Sequence, residues 1–543
     1  MPRHPLALTL LLAITACGGV EDAAPQHGGT AVIVTTGDAS TLFPPLAGAS
    51  VDRQVGEQLY DYLAAVGPEM HTSGDAGFEP RLAGSWTWAP DSLSIAFHLD
   101  PKARWHDGRR VDAADVQFTY EIYTDPNLAS SAGSQLDNLD SVTVRDSLSA
   151  VFWFARRSPL QFFDATNQMQ IIPRHVYGAI PRDSLRMRAS DIEPVGSGRY
   201  RFVSWNKGSS IELASDTSNY RGRANIHRLI WRITPSPIAA STMLFAGEGD
   251  IYDVMRPENV KEAEGRRDVR ILSAPGLAYV FMQFNFRNPI FASREMRRAL
   301  SMAVDRVAMV RNVFDSLALP GIGPTVRAYP STDPALRQIP YDPQQSMATL
   351  DSLGWRMGSD GIRARNGKRL TFSILTPASS LHRHRMAILV QEQLRKVGIH
   401  ATIDEPDYAT FSTRLSSREF DAALGSLHLG ASPAAVKETW TSPAARTGGL
   451  NYGFYMNPRF DALVDSATSS LDRAASNRFY SAAYQLAIDD APAIWLYEPR
   501  LMVGVHSRIR TTALRPDAWW SSLADWHIPP TAQIARDRIP GRK

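Results

Sequence analysis

The chain has 543 residues, 44% of them hydrophobic and 21% charged, which supports a large buried core and is too long for a single one, so two or three domains are expected. Its 58 basic and 55 acidic residues leave a net charge of +3, a balance that gives no electrostatic case for nucleic acid or an anionic surface as partner. The single cysteine, Cys17, excludes an internal disulfide.

The N-terminus carries a targeting pattern. Arg3 and His4 form a short basic start, and Leu6–Ala16 is apolar for eleven residues. That length is too short to span a bilayer and suits a signal segment. Ile14-Thr15-Ala16-Cys17 places small residues before the cysteine and resembles a bacterial lipobox, in which Cys17 is lipidated and becomes the mature N-terminus. An ordinary secretory signal with an incidental cysteine is the alternative. Residues 1–17 are thus read as a lipoprotein signal peptide and the polar, Gly-rich 18–27 as a flexible tether. No later run of about 18 apolar residues follows.

Thr30–Thr35 predicts a buried strand, and Val51–Ala64 a helix with Val55, Leu59, Tyr62 and Leu63 on one face. An exposed-looking pair, Trp86 and Trp88, precedes the alternating strand Ser94–Leu99 and a hairpin-type turn at His106-Asp107-Gly108. Asp112–Thr124 reads as a helix capped by Asp112, with Asp115 at N3. Val142–Val144 and Ala150–Phe154 are strands, and 201–215 is a hairpin across Asn206-Lys207-Gly208. Leu229–Thr234, Gly247–Val254 and Tyr279–Phe286 are further strands, with a helix at Ile238–Ala246. Helices follow at Arg294–Val313, Gln344–Leu353 and His384–Val397, the last two closed by Gly354 and Gly398. Strands at Leu370–Leu375 and His400–Ile403, a helical pair in Arg459–Asp489 and a strand at Ala493–Tyr497 complete an α/β pattern without internal repeats.

Several of these segments resemble, in order, the motifs of the family 5 extracellular solute-binding proteins, the oligopeptide-, dipeptide- and nickel-binding components of bacterial ABC importers. They are FEPRLAGSWTW with the HDG turn (78–108), GSGRYRFVSW with NYRG (196–222), LFAGEGDI (244–251), FNFRNPIF with Ala303-Val304-Asp305-Arg306, YDPQQSMATLDSLGW (341–355) and VQEQLRKVGIHATI (390–403). The resemblance implies a two-lobed periplasmic-binding-protein-like α/β fold of type II, in the large class with an extra subdomain. On it, residues 28–278 and 497–543 form the first lobe, 60–190 the extra subdomain within it, and 279–496 the second lobe. The crossings then fall near Leu277–Phe284 and Ile494–Pro499. It also implies an extracytoplasmic monomer, anchored to the membrane through Cys17, that delivers a peptide or similar polar solute to ABC permease and ATPase subunits.

In peptide-binding relatives one backbone patch lies shortly after the first strand, which makes Ala47, Gly48 and Ser50 ligand-binding candidates here. The facing patch is a G-W-x-x-D-Y-x-x-P motif whose Asp holds the ligand's α-amino group. The corresponding stretch is GSLHLGASP, Gly425–Pro433, in which Ser426 stands at the Trp position and Leu429 at the Asp position. Leu427, His428 and Leu429 are the facing candidates. Trp440 is a pocket wall or a core residue, and Asn285 and Arg385 face the cleft or serve as hinge and surface residues. A buried ammonium without a carboxylate costs several kcal/mol. Three readings stay open: a non-peptide ligand such as a sugar or metal chelate, another acid (Glu405, Asp407 or Glu438), or a shifted alignment of this loop.

No G-x-S-x-G, H-E-x-x-H or G-x-x-x-x-G-K-[ST] pattern occurs, so no enzyme motif competes with the binding reading, and no cofactor is expected. His382 and His384 with flanking arginines make a weak metal pattern and a better solvated helix start. A receptor or structural lipoprotein on the same fold is the remaining alternative.

Overall fold

Thr30–Thr35 is the strand its β-branched run predicts, and all six residues are buried. The computed structural model describes residues 27–314, 317–446 and 449–538; the signal segment, Cys17 and nearly all of the tether lie outside them. The first strand pairs in parallel with Arg228–Ile233 and with Ile251–Tyr252, and the hairpin Tyr200–Asn206/Ser210–Ser215 widens this half of the sheet. In the other half, Thr371–Leu375 lies parallel to His400–Asp404 and to Ala422–His428, and Ala422–His428 pairs antiparallel with Ala278–Phe284.

One strand, Ala493–His506, joins the halves. Its first residues pair with Ala278–Phe284, and its last residues pair with Val269–Pro275 and Ile251–Tyr252. The sequence reading ends this strand at Tyr497, whereas it runs on through Pro499, a residue type that usually ends a strand. The proline instead sits where the strand changes partners. Beside it a Cβ on Gly276 would stand 2.2 Å from the Pro499 carbonyl oxygen, so the two crossing segments touch backbone to backbone at a position only glycine can fill.

Ala278–Phe284 is buried on both faces. Val280, Met282 and Phe284 pack with Met296, Leu300, Ile374 and Leu394. Tyr279 and Phe281 turn the other way, into an aromatic cluster with Trp440 and Trp495. A buried ion network ties the first half instead. Asp250, fully buried, accepts from the Val32 amide at 2.8 Å, from Arg508 Nε at 2.6 Å and from Arg536 at 2.7 Å, while Arg508 also meets Asp537 at 2.8 Å.

Within 60–190 a separate four-stranded sheet runs in the order Ala83–Trp88, Ser94–Leu99, Ser149–Phe154, Leu139–Asp146. Trp86 and Trp88 are half-buried against Phe162, and both indole N–H groups donate to Asp75, at 2.8 and 3.0 Å. The HDG turn is structural, as expected: Trp105 is buried and bonds Asp115 at 3.0 Å, and His106 is wedged between Gly196 and Gly198. Asp112 and Asp115 cap the helix Ala113–Tyr123 reciprocally.

Two helices differ from expectation. The first ends at Leu59, and Ala64–Val66 is a strand, because the amides of Arg81 and Ala83 both take the Leu63 carbonyl and hold residues past Tyr60 extended. Arg294–Val313 is two helices, Arg294–Met302 and Arg306–Phe314. Asp305 caps the second through the Ala308 amide at 2.9 Å, and the Arg306 guanidinium turns inward to the Ile339 and Ser301 carbonyls. Among the described residues no helix is long and apolar enough to cross a membrane.

Candidate functional site

The helix Ser50–Leu59 forms one wall of a cleft between the two halves of the sheet. Its inward face is polar and fully engaged. The Asp52 carboxylate collects the amides of Ser40, Gly48 and Ala49 and the Ser40 hydroxyl, Gln54 bridges Trp231 and Asp253, and Gln58 donates to the Trp520 carbonyl at 3.2 Å. The helix end is seated on the GSG segment: Gly198 donates to the Leu59 carbonyl at 2.8 Å, and a Cβ on Gly196 would fall 1.8 Å from the same oxygen. With that face fixed, Arg53 and Glu57, four residues apart, look the other way.

They look into a cavity of about 580 Å³, within the roughly 300–1,000 Å³ usual for small-molecule sites. One side is built from Pro44–Ala47, Arg53, Glu57, Tyr60–Tyr62 and the C-terminal stretch 512–522, and the other from Leu429-Gly430-Ala431. The latter loop hangs from the second half of the sheet: the Leu429 amide donates to the Leu277 carbonyl at 2.8 Å, and the Tyr329 hydroxyl reaches the Gly430 and Ser432 carbonyls. The cleft therefore opens between the two halves that Ala278–Phe284 and Ala493–His506 connect.

Most charges at the cleft are paired. Asp61 holds Arg221 at 2.6 Å and Tyr220 at 2.8 Å, and Arg515 holds Asp517 at 2.6 Å. Glu57 has no ion-pair partner within 4 Å among the described residues; it receives only a long hydrogen bond, 3.4 Å, from Tyr62. Burial pushes its carboxyl up to about 7, opposed by Arg515, Arg53 and the neighbouring Trp520 indole and reinforced by Asp517. The Trp520 N–H is itself buried and approaches the Glu57 carboxylate without closing a full hydrogen bond.

The sequence candidates divide accordingly. Ala47 and Leu429 line the cavity. The Gly48 amide is taken by Asp52, although no atom lies within 4 Å of where its Cβ would be, and Ser50 accepts from Gln54. Leu427 and His428 sit on the strand before the loop, opposite Tyr279 and Ala278. Trp440 is 3% exposed, bonds the Tyr279 hydroxyl at 2.8 Å and belongs to the aromatic core, so it is no wall of this cavity. Asn285 is buried with its amide on the Arg418 and Phe420 carbonyls, and Arg385 is exposed on the helix Leu381–Lys396; neither lines the cavity. The three substitute acids are employed or placed elsewhere. Glu405 meets His384 at 2.7 Å, Asp407 caps the helix Tyr408–Ser416, and Glu438 is exposed. His382 stacks on Phe314, and no group of three metal-ligating side chains occurs among the described residues. Glu57 and Trp520 escaped the sequence reading, since each acquires its meaning only from the other.

Two half-sheets tied by crossing strands, with a ligand-sized cleft between them, define a two-lobed binding protein of the periplasmic-binding-protein type. The chain belongs to the bacterial extracellular solute-binding proteins, family 5, whose pattern matches residues 77–445. It is 26% identical over 543 aligned residues to the oligopeptide-binding protein AppA of Bacillus subtilis, covering 95% of this chain and 98% of that one. The solved structure of AppA with a nonapeptide superposes with a TM-score of 0.74 at 24% identity, over 93% of this chain and 99% of AppA. The substrate-binding protein CtaP of Listeria monocytogenes gives 0.81 at 21% identity, over 93% and 100%. NikZ of Campylobacter jejuni, solved with Ni(L-His), gives 0.75 at 21% identity, over 92% and 99%.

Proposed function

We propose that this solute-binding protein captures a short peptide, or a polar solute of similar size, in the cleft between Glu57 and Leu429 and delivers it to an ABC permease. The cleft itself carries the reading: a cavity of about 580 Å³ whose walls come from both halves of the sheet. A ligand touching both walls stabilises the closed arrangement, and closure is what a permease can recognise. The likeness to AppA, whose solved complex holds a nonapeptide, supports a peptide. Residues 28–278 with 497–543 act as one lobe and 279–496 as the other, hinged where Gly276 meets Pro499. Cys17 anchors the protein through a lipid, so Cys17→Ser is expected to release it from membranes with solute binding intact.

Leu429 at the cleft favours a second reading. It stands where a peptide-holding acid is expected and offers a ligand no charge. A non-peptide solute, a sugar or a metal chelate, fits that wall. Thermal unfolding of residues 28–543 against di- to pentapeptides, oligosaccharides and nickel chelates separates the two. A ligand at a hundred times its Kd adds about 2.7 kcal/mol, a rise of several degrees in Tm. A rise with peptides is expected; a rise only with sugars or chelates transfers the protein to the second reading, and no rise with any of them removes both.

A further inference from the structure

We infer that Glu57 and Trp520 together form the anchor for the N-terminal residue of a peptide ligand, so that the acid holding the α-ammonium comes from the first lobe instead of from the Gly425–Pro433 loop. The inference rests on the peptide reading above and specifies its chemistry.

An acceptor and a donor that hold each other only loosely stand side by side in the cleft. Among the described residues the Glu57 carboxylate is the cavity-wall acid with no ion-pair partner within 4 Å, held by a long hydrogen bond from Tyr62 at 3.4 Å and loosely by the Trp520 N–H; Asp61 and Asp517 there are each bound to an arginine. The Trp520 indole is 8% exposed, lines the same cavity and turns its N–H toward the Glu57 carboxylate without closing a full hydrogen bond. A buried donor held this loosely gains from a ligand that supplies a better-placed acceptor. An unpaired acid in a poorly solvated cleft likewise calls for a cation. The first residue of a peptide brings both at once: an ammonium, and a carbonyl oxygen on the carbon next to the one that bears it.

The frame is rigid enough to select geometry. Gln58 ties the helix of Glu57 to the Trp520 carbonyl, and the next residue, Trp519, donates to Asp253 at 2.9 Å, which Gln54 of the same helix also binds at 2.7 Å. Opposite stands Leu429-Gly430-Ala431, which carries no titratable side chain and can supply backbone contacts without competing for the ammonium.

The charged state follows. The groups facing Glu57 are Arg53 on its own helix, Tyr62 on the next segment, and Arg515, Asp517 and Trp520 on the C-terminal stretch. Burial holds the carboxyl near 7, so below that pH it is protonated before a cation arrives and must give up about one proton per ligand bound. Affinity for a free-amino peptide then falls about tenfold per pH unit below about 7. It falls again above about 8, where the ligand's own ammonium loses its proton.

The experiment is calorimetric titration of the wild type, Glu57→Gln and Trp520→Phe with tetra-alanine and N-acetyl-tetra-alanine, from pH 5.5 to 8.5 in buffers of different ionisation enthalpy. Acetylation is expected to weaken wild-type binding by about tenfold to a hundredfold, the range of a charge-assisted hydrogen bond, and to make no difference in Glu57→Gln. Glu57→Gln should also lose the acid limb of the profile and the proton release. That control is needed because Glu498 at the crossing and Asp164 in the subdomain are also raised to about 7 by burial. Trp520→Phe, which keeps the ring and removes the N–H, should weaken both peptides. If the wild type binds both peptides equally, or Glu57→Gln still discriminates between them, the anchor is wrong while the peptide reading stands. If neither peptide binds any of the three proteins, the peptide reading falls and the anchor falls with it.

Discussion

The two lobes solve the same problem with different chemistry. The first, packed around an extensive apolar core of its own, is also tied through its middle by Asp250, Arg508, Arg536 and Asp537, and its cleft wall carries Arg53, Glu57, Asp61, Arg515 and Asp517. The second is packed through Met282, Phe284, Leu300, Ile374 and Leu424, and it meets the cleft with Leu429-Gly430-Ala431. At the first lobe's cleft wall most charges are fixed by partners, as Asp61 is by Arg221 and Asp517 by Arg515. The second lobe meets the same cleft with a loop that carries no charge. On the anchor proposed above, discrimination between ligands falls to the charged wall.

The largest effect is expected where the charged lobe is cut at its centre. Asp250→Ala leaves Arg508, about 5% exposed, without its main partner, and breaking a buried pair this way costs about 3–5 kcal/mol. Urea unfolding should show the loss, and truncation of a rim charge such as Arg53, exposed at the cleft, should cost far less. Equal small losses for both would mean that the network is not what holds this lobe. A smaller effect is expected at the boundary itself. Gly276→Ala drives a methyl group into the Pro499 carbonyl, and relieving such an overlap costs about 1–3 kcal/mol. Because both crossing segments must shift, ligand affinity should fall along with Tm. Lowered Tm with unchanged affinity would show that the crossing is structural and does not govern closure.

Much of this was legible in the residues, and the exceptions share a cause. Thr30–Thr35 and Ser94–Leu99 were read to the residue because their patterns are local. Asp250 lay inside the LFAGEGDI motif, and its buried network explains why an acid belongs there. Arg294–Val313 was read as one helix because its apolar spacing continues across a break. The break is made by Asp305 capping forward and by Arg306 reaching a carbonyl 33 residues away. Trp440 and Asn285 were plausible cleft residues by order along the chain, but Tyr279 and the Arg418–Phe420 turn claim their polar atoms. Glu57 was invisible for the opposite reason. On the helix Ser50–Leu59 it falls on the face away from Val51, Val55 and Leu59, which reads as solvent; only the distant stretch 512–522 turns that face into a cleft wall.

The smallest change tests the division of labour most directly. Leu429→Asp places a carboxylate on the neutral wall, where the family pattern expects one. In the wild-type background it should alter free-amino peptide affinity by about tenfold or less, because Glu57 already supplies a carboxylate and two acids sharing one ammonium raise each other's protonation. In the Glu57→Gln background the same substitution should restore the preference for tetra-alanine over its acetylated form. It would do so with an acid limb moved below pH 7, since the new acid sits on the neutral loop, apart from Asp517. Restoration would show that the anchor can be carried by either lobe and that this chain places it on the first. Failure to restore, with the protein still folded and still binding peptide, would mean that the two walls are not interchangeable and that the ligand lies against the first lobe in a pose the Gly425–Pro433 loop cannot reach.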